Sequence, residues 1–160
     1  MHPELVERFD RAVAKYPPDR RQSAVMACLA MVQHEQGFVS PDSEQAVADH
    51  LGMPRIAVHE VVTFYNMYNQ REVGKYKLNV CTNLPCQLGD GHKALQHLQR
   101  KLGIQMGETT PDGMFTLQQN ECLGACADSP VMLVNDRVMC SFMSNDKLDQ
   151  LVDGLKGASQ

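Results

Sequence analysis

Apolar residues recur every three or four positions through roughly the first 65 residues, which is the helical period. Leu5, Phe9, Val13 and Tyr16 mark a first helix, and Pro17-Pro18 must end it because proline lacks the N–H that the next turn needs. From about 20 to 36 a second helix carries Val25, Cys28, Leu29 and Val32 on one face. Gly37 then offers a left-handed C-cap. Ser40-Pro41 supplies the N-cap and first-turn proline of a third helix, with Val47 and Leu51 inward and Gly52 closing it. Pro54 opens a fourth, expected to bury Ile56, Val58, Val61 and Val62 ahead of the aromatic cluster Phe64, Tyr65 and Tyr68. The pattern predicts a small helical bundle, residues 1–70, in which nothing has ligand spacing. Aromatics at the end of such an arm suit docking to a partner, yet burial against the following domain is the stronger expectation.

After Gly74 the period shortens to two. Tyr76, Leu78 and Val80 alternate with Lys75, Lys77 and Asn79 up to Cys81, the signature of a half-buried strand. A loop to Gly91 leads to a helix with Leu95, Leu98 and Leu102 on one face and Gly103 as its stop. Thr110-Pro111-Asp112-Gly113 has turn chemistry and feeds a strand from about Met114 to Gln119. Val131 to Val134 and Arg137 to Phe142 flank Asn135-Asp136, which suits a tight antiparallel hairpin. Ser144 can cap a last helix bearing Leu148, Leu151, Val152 and Leu155. Residues 71–160 thus read β-α-β-β-β-α, the order of a thioredoxin-like sheet, and the whole chain as an α+β protein. It contains no internal repeat or low-complexity tract.

With 43% hydrophobic residues in 160, the chain can bury a core without covalent staples. Fifteen Lys and Arg against 19 Asp and Glu leave a net charge of -4, so the basic footprint of a nucleic-acid binder is missing. No run approaches the roughly 18–20 apolar residues that span a bilayer. The opening Met1-His2-Pro3-Glu4-Leu5-Val6-Glu7 lacks the apolar segment of a secretory signal and reads as a mature cytoplasmic start. In that compartment six cysteines are thiols or metal ligands rather than disulfides.

Four of the six stand in two short-spaced pairs. Cys81 and Cys86 enclose four residues, Cys122 and Cys126 enclose three, and both pairs occupy loops leaving predicted strands. Four thiolates suit either zinc or an iron–sulfur cluster. Structural zinc usually takes tighter knuckles, with two residues between the cysteines. The wider loops, separated by a helix and a strand, favour a binuclear 2Fe-2S cluster over zinc, with a disulfide or redox dithiol behind both. The plant-type ferredoxin spacing fails because Gly89 stands where its third cysteine belongs. Gly124 permits backbone N–H groups to approach sulfur, Pro85 stiffens the first loop, and Pro130 stiffens the exit from the second.

Glu60-Val61-Val62-Thr63-Phe64-Tyr65, Val73-Gly74-Lys75-Tyr76, Val80-Cys81-Thr82-Asn83-Leu84-Pro85-Cys86 and Glu121-Cys122-Leu123-Gly124-Ala125-Cys126 resemble the small iron–sulfur subunit of bacterial NADH:quinone oxidoreductase, respiratory complex I. The resemblance covers nearly the whole chain. It implies that Cys81, Cys86, Cys122 and Cys126 hold a 2Fe-2S cluster on a thioredoxin-like domain. It also implies that a neighbouring flavoprotein subunit carries FMN and the NADH site, with this chain peripheral to the inner membrane in a larger complex. Ser129 departs from the alanine common in the family, a change in the cluster's surroundings rather than in its ligands. The module also resembles diaphorase subunits of NAD-linked hydrogenases and formate dehydrogenases. The rival from another class is a zinc-stapled assembly module.

Two motifs are decoys. Gly89-Asp90-Gly91-His92-Lys93-Ala94 fits the relaxed dinucleotide fingerprint, but a cysteine-bearing loop separates it from the preceding strand, so pyrophosphate binding is not expected. His59-Glu60-Val61-Val62-Thr63 begins like a zinc-protease helix and has Thr63 where the second histidine must stand. It reads as helix surface. Cys28 and Cys140 read as packing residues, since a free thiol in apolar company behaves as a small hydrophobe. No residue is singled out as an acid, base or nucleophile.

Overall fold

The computed structural model describes residues 2–158. They form two compact units that divide between Glu72 and Val73.

The first unit is a helical bundle of α1 (Pro3–Val13), α2 (Val25–Gln36), α3 (Pro41–Leu51) and α4 (Arg55–Phe64). Its core joins Leu5 and Phe9 to Cys28, Leu29, Val32, Val47, Leu51, Val58 and Val62. The caps follow the local chemistry: Gly37 and Gly52 sit at φ +80° and +66°, and the Ser40 hydroxyl accepts from the Ser43 N–H at 3.1 Å. Four expectations need correction. The second helix starts at Val25 rather than near 20, because a 3-10 stretch over Pro18–Ala24, broken at Arg20, precedes it. Tyr16 lies beyond the end of α1 and is exposed. Ile56 is 64% exposed, since two residues along a helix turn it about 200° away from Val58. Of the aromatic cluster, Tyr68 is buried in the bundle's own core and donates its hydroxyl to the Met26 carbonyl at 2.9 Å, whereas Phe64 is 79% exposed. The buried Glu44 carboxylate ties α3 to α4 through Arg55 Nε at 3.3 Å and His59 Nδ1 at 2.8 Å, which gives the decoy histidine a structural role.

The second unit runs β1 (Tyr76–Cys81), α5 (Leu84–Leu88), α6 (Gly91–Leu102), β2 (Phe115–Asn120), β3 (Met132–Val134), β4 (Val138–Cys140) and α7 (Asn145–Gly157). The sheet order is β2-β1-β3-β4. β1 runs parallel to β2, from Tyr76 opposite Phe115 to Cys81 opposite Asn120, while β3 is antiparallel to both β1 and β4. Leu78, Phe115, Leu117 and Met132 form one core with Leu95 and Leu98 of α6 and Leu148 and Val152 of α7.

The alternation in β1 predicts a half-buried strand. β1 is instead central, and Lys77 and Asn79 are both 2% exposed. Their polarity is met by Asp136 at the hairpin tip: Lys77 Nζ lies 2.6 Å from Asp136 Oδ2, and Asn79 Nδ2 donates to Oδ1. Asn135 and Asp136 both take positive φ, +52° and +55°, and the Arg137 N–H closes the turn on the Val134 carbonyl at 3.1 Å; because Val134 pairs with Val138, the connection is one residue longer than the two-residue turn expected. Among the described residues no helix is long and apolar enough to cross a membrane.

Asp136 therefore answers to two demands, the turn and the buried polar pair. Glycine, with no Cβ to crowd at positive φ, would suit the turn better by about 1 kcal/mol, but it would strip Lys77 and Asn79 of a charged acceptor worth about 1.5–3 kcal/mol. Asp136→Gly should be net destabilising by about 1–2 kcal/mol in urea unfolding of the full chain; a stabilised variant would show that the turn alone governs this position.

Candidate metal centre

Parallel strands finish at the same end of a sheet, so the segments leaving β1 and β2 begin side by side. Cys81 is the last residue of β1, with its N–H donating to the Val131 carbonyl at 3.1 Å, and the Thr82 N–H reaches the Asn120 carbonyl at 3.1 Å. Asn83 is the N-cap of α5, Pro85 stands in its first turn, and Cys86 is buried on it. The sequence shows only a loop here, because five residues are too few to display a helical period. Cys122 follows β2 by two positions, and Cys126 opens a 3-10 turn, Cys126–Asp128.

All six cysteines are free thiols, and the four predicted ones come together as two pairs of unlike exposure. Cys81 and Cys86 are buried with Val131, against Leu123 and Ala125 from the second loop. Cys122 and Cys126 are exposed, with their sulfurs 3.6 Å apart. Two thiolates bound tetrahedrally to one metal through bonds of about 2.3 Å lie about 3.7 Å apart, so this pair already has ligand spacing. Among the described residues no three His, Cys, Asp or Glu side chains group around a single ion. A paired arrangement suits a binuclear centre, and donor type, number and pairing all fit a 2Fe-2S group.

The electrostatics join the four sulfurs. Burial pushes the Cys81 thiol pKa up, against the opposing effect of the Asn83 and Leu123 backbone groups bonded to its sulfur; Cys86, bonded to it, pushes it up further. Cys126 is raised chiefly by its hydrogen bond with Cys122, then by desolvation and by the nearby Cys122, Cys86 and Cys81. Like charges this close cannot all ionise without a compensating cation. Gly124, at φ +77°, brings its N–H to Cys122 Sγ at 3.4 Å. Cys28 is in the core of the first unit, where burial pushes its pKa up to about 11. Cys140 ends β4 half-buried, and burial raises its thiol as well.

Several residues that shape the site carry no motif. A Cβ on Gly91 would stand 2.7 Å from the Cys86 carbonyl oxygen and 2.9 Å from that of Cys81, and one on Gly89 would collide with Ser129 Oγ. Of the false dinucleotide fingerprint, Gly91 lets α6 press against the Cys81 and Cys86 carbonyls, and Gly89 lets Ser129 close over the end of α5. The Ser129 hydroxyl lies 3.3 Å from the carbonyls of both Cys86 and Gly89, and Asn83 Nδ2 donates to Glu121 Oε2 at 2.9 Å. A glycine at the very start of a predicted helix is the available sign for the first of these features, and the departure from the family's alanine singles out Ser129; nothing in the sequence marks the Asn83–Glu121 pair.

Gly91→Ala tests the close approach with an otherwise helix-favouring change. Overpacking against two backbone carbonyls costs about 1–3 kcal/mol, so iron and sulfide per chain should fall. Gly154→Ala in α7, where a new Cβ meets nothing within 4 Å, should retain both and be neutral to stabilising. Full metal content in Gly91→Ala would remove the steric argument.

Comparison with known proteins agrees with the geometry. The thioredoxin-like 2Fe-2S ferredoxin family matches residues 9–156. An NADH-quinone oxidoreductase subunit of Rickettsia conorii is 38% identical over 148 residues, which is 92% of this chain and 88% of that protein. An NADH-quinone oxidoreductase subunit of Rhizobium meliloti is 40% identical over 154 residues, 96% of this chain and 90% of the relative. Among solved structures, an NAD+-reducing NiFe hydrogenase in its H2-reduced state superposes with a TM-score of 0.68 at 17% identity, over 81% of this chain and 22% of the hydrogenase chain, a likeness of fold alone. With the family matched along nearly its full length, the chain belongs to the thioredoxin-like 2Fe-2S ferredoxins.

Proposed function

We propose that this chain is the electron-transfer subunit of an NADH:quinone oxidoreductase, holding one 2Fe-2S cluster on Cys81, Cys86, Cys122 and Cys126. The observation that carries the reading is the convergence of two thiol pairs from two adjoining loops, one pair buried and one exposed. NADH-quinone oxidoreductase relatives of nearly the same length support the choice of host complex. The hydrogenase likeness is one of fold, so the diaphorase alternative gains nothing from it.

When bound, such a cluster supplies one-electron redox chemistry. The chain supplies everything else. Four thiolates hold the metal, backbone N–H groups such as that of Gly124 turn their dipoles on sulfur, and Val131, Leu123 and Ala125 keep water from the inner pair. No side chain is assigned as acid, base or nucleophile. NADH gives up a two-electron hydride, so a flavin must stand between it and a one-electron carrier. The adjacent FMN- and NADH-binding flavoprotein subunit is the partner that meets this need. The chain then works in the cytoplasm, at the inner-membrane surface, as part of the larger complex.

Anaerobically purified protein should contain about two iron and two sulfide per chain. Serine at any of Cys81, Cys86, Cys122 or Cys126 should abolish or sharply reduce that content, and serine at Cys28 or Cys140 should leave it unchanged. Cluster loss in either of the last two would show that the ligands are wrongly assigned. NADH alone should not change the visible spectrum of the holo-protein; rapid bleaching in a flavin-free sample would reveal a nucleotide site in this chain and refute the assigned division of labour.

A further inference from the structure

Within each cysteine pair, sulfur spacing is a local matter of one loop; between the pairs it depends on what binds one loop to the other. Backbone bonds do part of this near the strand ends, from Thr82 N–H to the Asn120 carbonyl and from Cys81 N–H to the Val131 carbonyl. Leu123 and Ala125 pack against the buried pair, and two side-chain hydrogen-bonded contacts add to this, one at each end of the site. Asn83, two residues past Cys81, donates its amide to Glu121, the residue before Cys122, at 2.9 Å. Ser129, three residues past Cys126, places its hydroxyl 3.3 Å from the carbonyls of Cys86 and Gly89, at the C-terminal end of α5, where helix carbonyls need donors from outside. The fit there is close enough that a Cβ on Gly89 would collide with the serine oxygen.

We propose that Ser129 and the Asn83–Glu121 pair are positioning residues that fix the separation of the two sulfur pairs and so hold the cluster against release. This rests on the reading that the four cysteines hold a 2Fe-2S cluster. Neither contact touches sulfur directly; both act through the loop that carries it. Opening the site to a chelator requires the two loops to part, and each strap raises the free energy of that local opening. The straps also set the coordination geometry, which the reduced-state EPR spectrum reports independently of protein stability.

The test uses the full-length holo-protein and three variants, Ser129→Ala, Glu121→Ala and Glu121→Gln. Iron release to excess bathophenanthroline, reduced-state EPR g-values and apo-protein unfolding midpoints are compared. Each alanine variant should lose iron roughly fivefold faster than wild type, the equivalent of one ordinary intramolecular hydrogen bond, with shifted g-values and little change in the apo midpoint. Glu121→Gln retains an acceptor for the Asn83 amide and should release iron at the wild-type rate. Wild-type release rates and spectra in both alanine variants would overturn the inference while leaving the proposed function standing. Fast release from Glu121→Gln would overturn the hydrogen-bonded strap at that end. A wild-type chain that assembles no cluster would overturn the proposed function, and this inference with it.

Discussion

Parallel pairing of β1 with β2 sets both cysteine loops at one edge of the sheet. Cys86 and Cys122 are separated by 35 residues, and a four-thiol site needs those distant loops within a few ångströms of one another. Parallel strands require a long crossover, here α6 and the turn that follows it, and in return both strands end on the same edge of the sheet. Cys81 opposite Asn120 is the last rung of that ladder, so the two cysteine loops leave from adjacent points. The apolar contacts of Leu78, Phe115 and Leu117 with α6 and α7 hold that register. A slip of one residue would turn every strand side chain to the opposite face.

Given that edge, the remaining features follow from the chemistry of crowding thiols. Burial holds the Cys81 thiol above its usual pKa, the hydrogen bond with Cys122 does the same for Cys126, and a bound cation changes that balance by stabilising the thiolates. Close backbone approach is the other requirement. It explains a glycine at the first residue of α6, where any side chain would strike the carbonyls of the ligand loop, and a left-handed glycine between Cys122 and Cys126, whose N–H faces sulfur.

The two cysteine pairs are legible in the sequence because they depend on residue type and spacing, both of which are local. The same is true of the helices with clear periods and glycine stops, and of the Asn135-Asp136 turn. What escapes is whatever depends on neighbours in three dimensions. Alternating Lys77 and Asn79 look like a solvated strand face, yet β1 is central and both are buried on Asp136 from the hairpin tip. α5 is shorter than two turns and leaves no periodic trace. Grouping Ile56 with Val58 rests on hydrophobicity alone, against the geometry of two-residue spacing. Gly89 and Gly91 imitate a phosphate loop because close helix–loop packing selects glycine for the same steric reason that phosphate binding does.

Low-temperature EPR of the anaerobically purified chain, before and after reduction with dithionite, decides whether the two cysteine pairs hold two irons. A 2Fe-2S centre on these cysteines gives a silent oxidised state and, on reduction, a signal from one unpaired electron shared between two irons. A colourless protein carrying stoichiometric zinc, or the ferric signal of a mononuclear iron site before reduction, would contradict it.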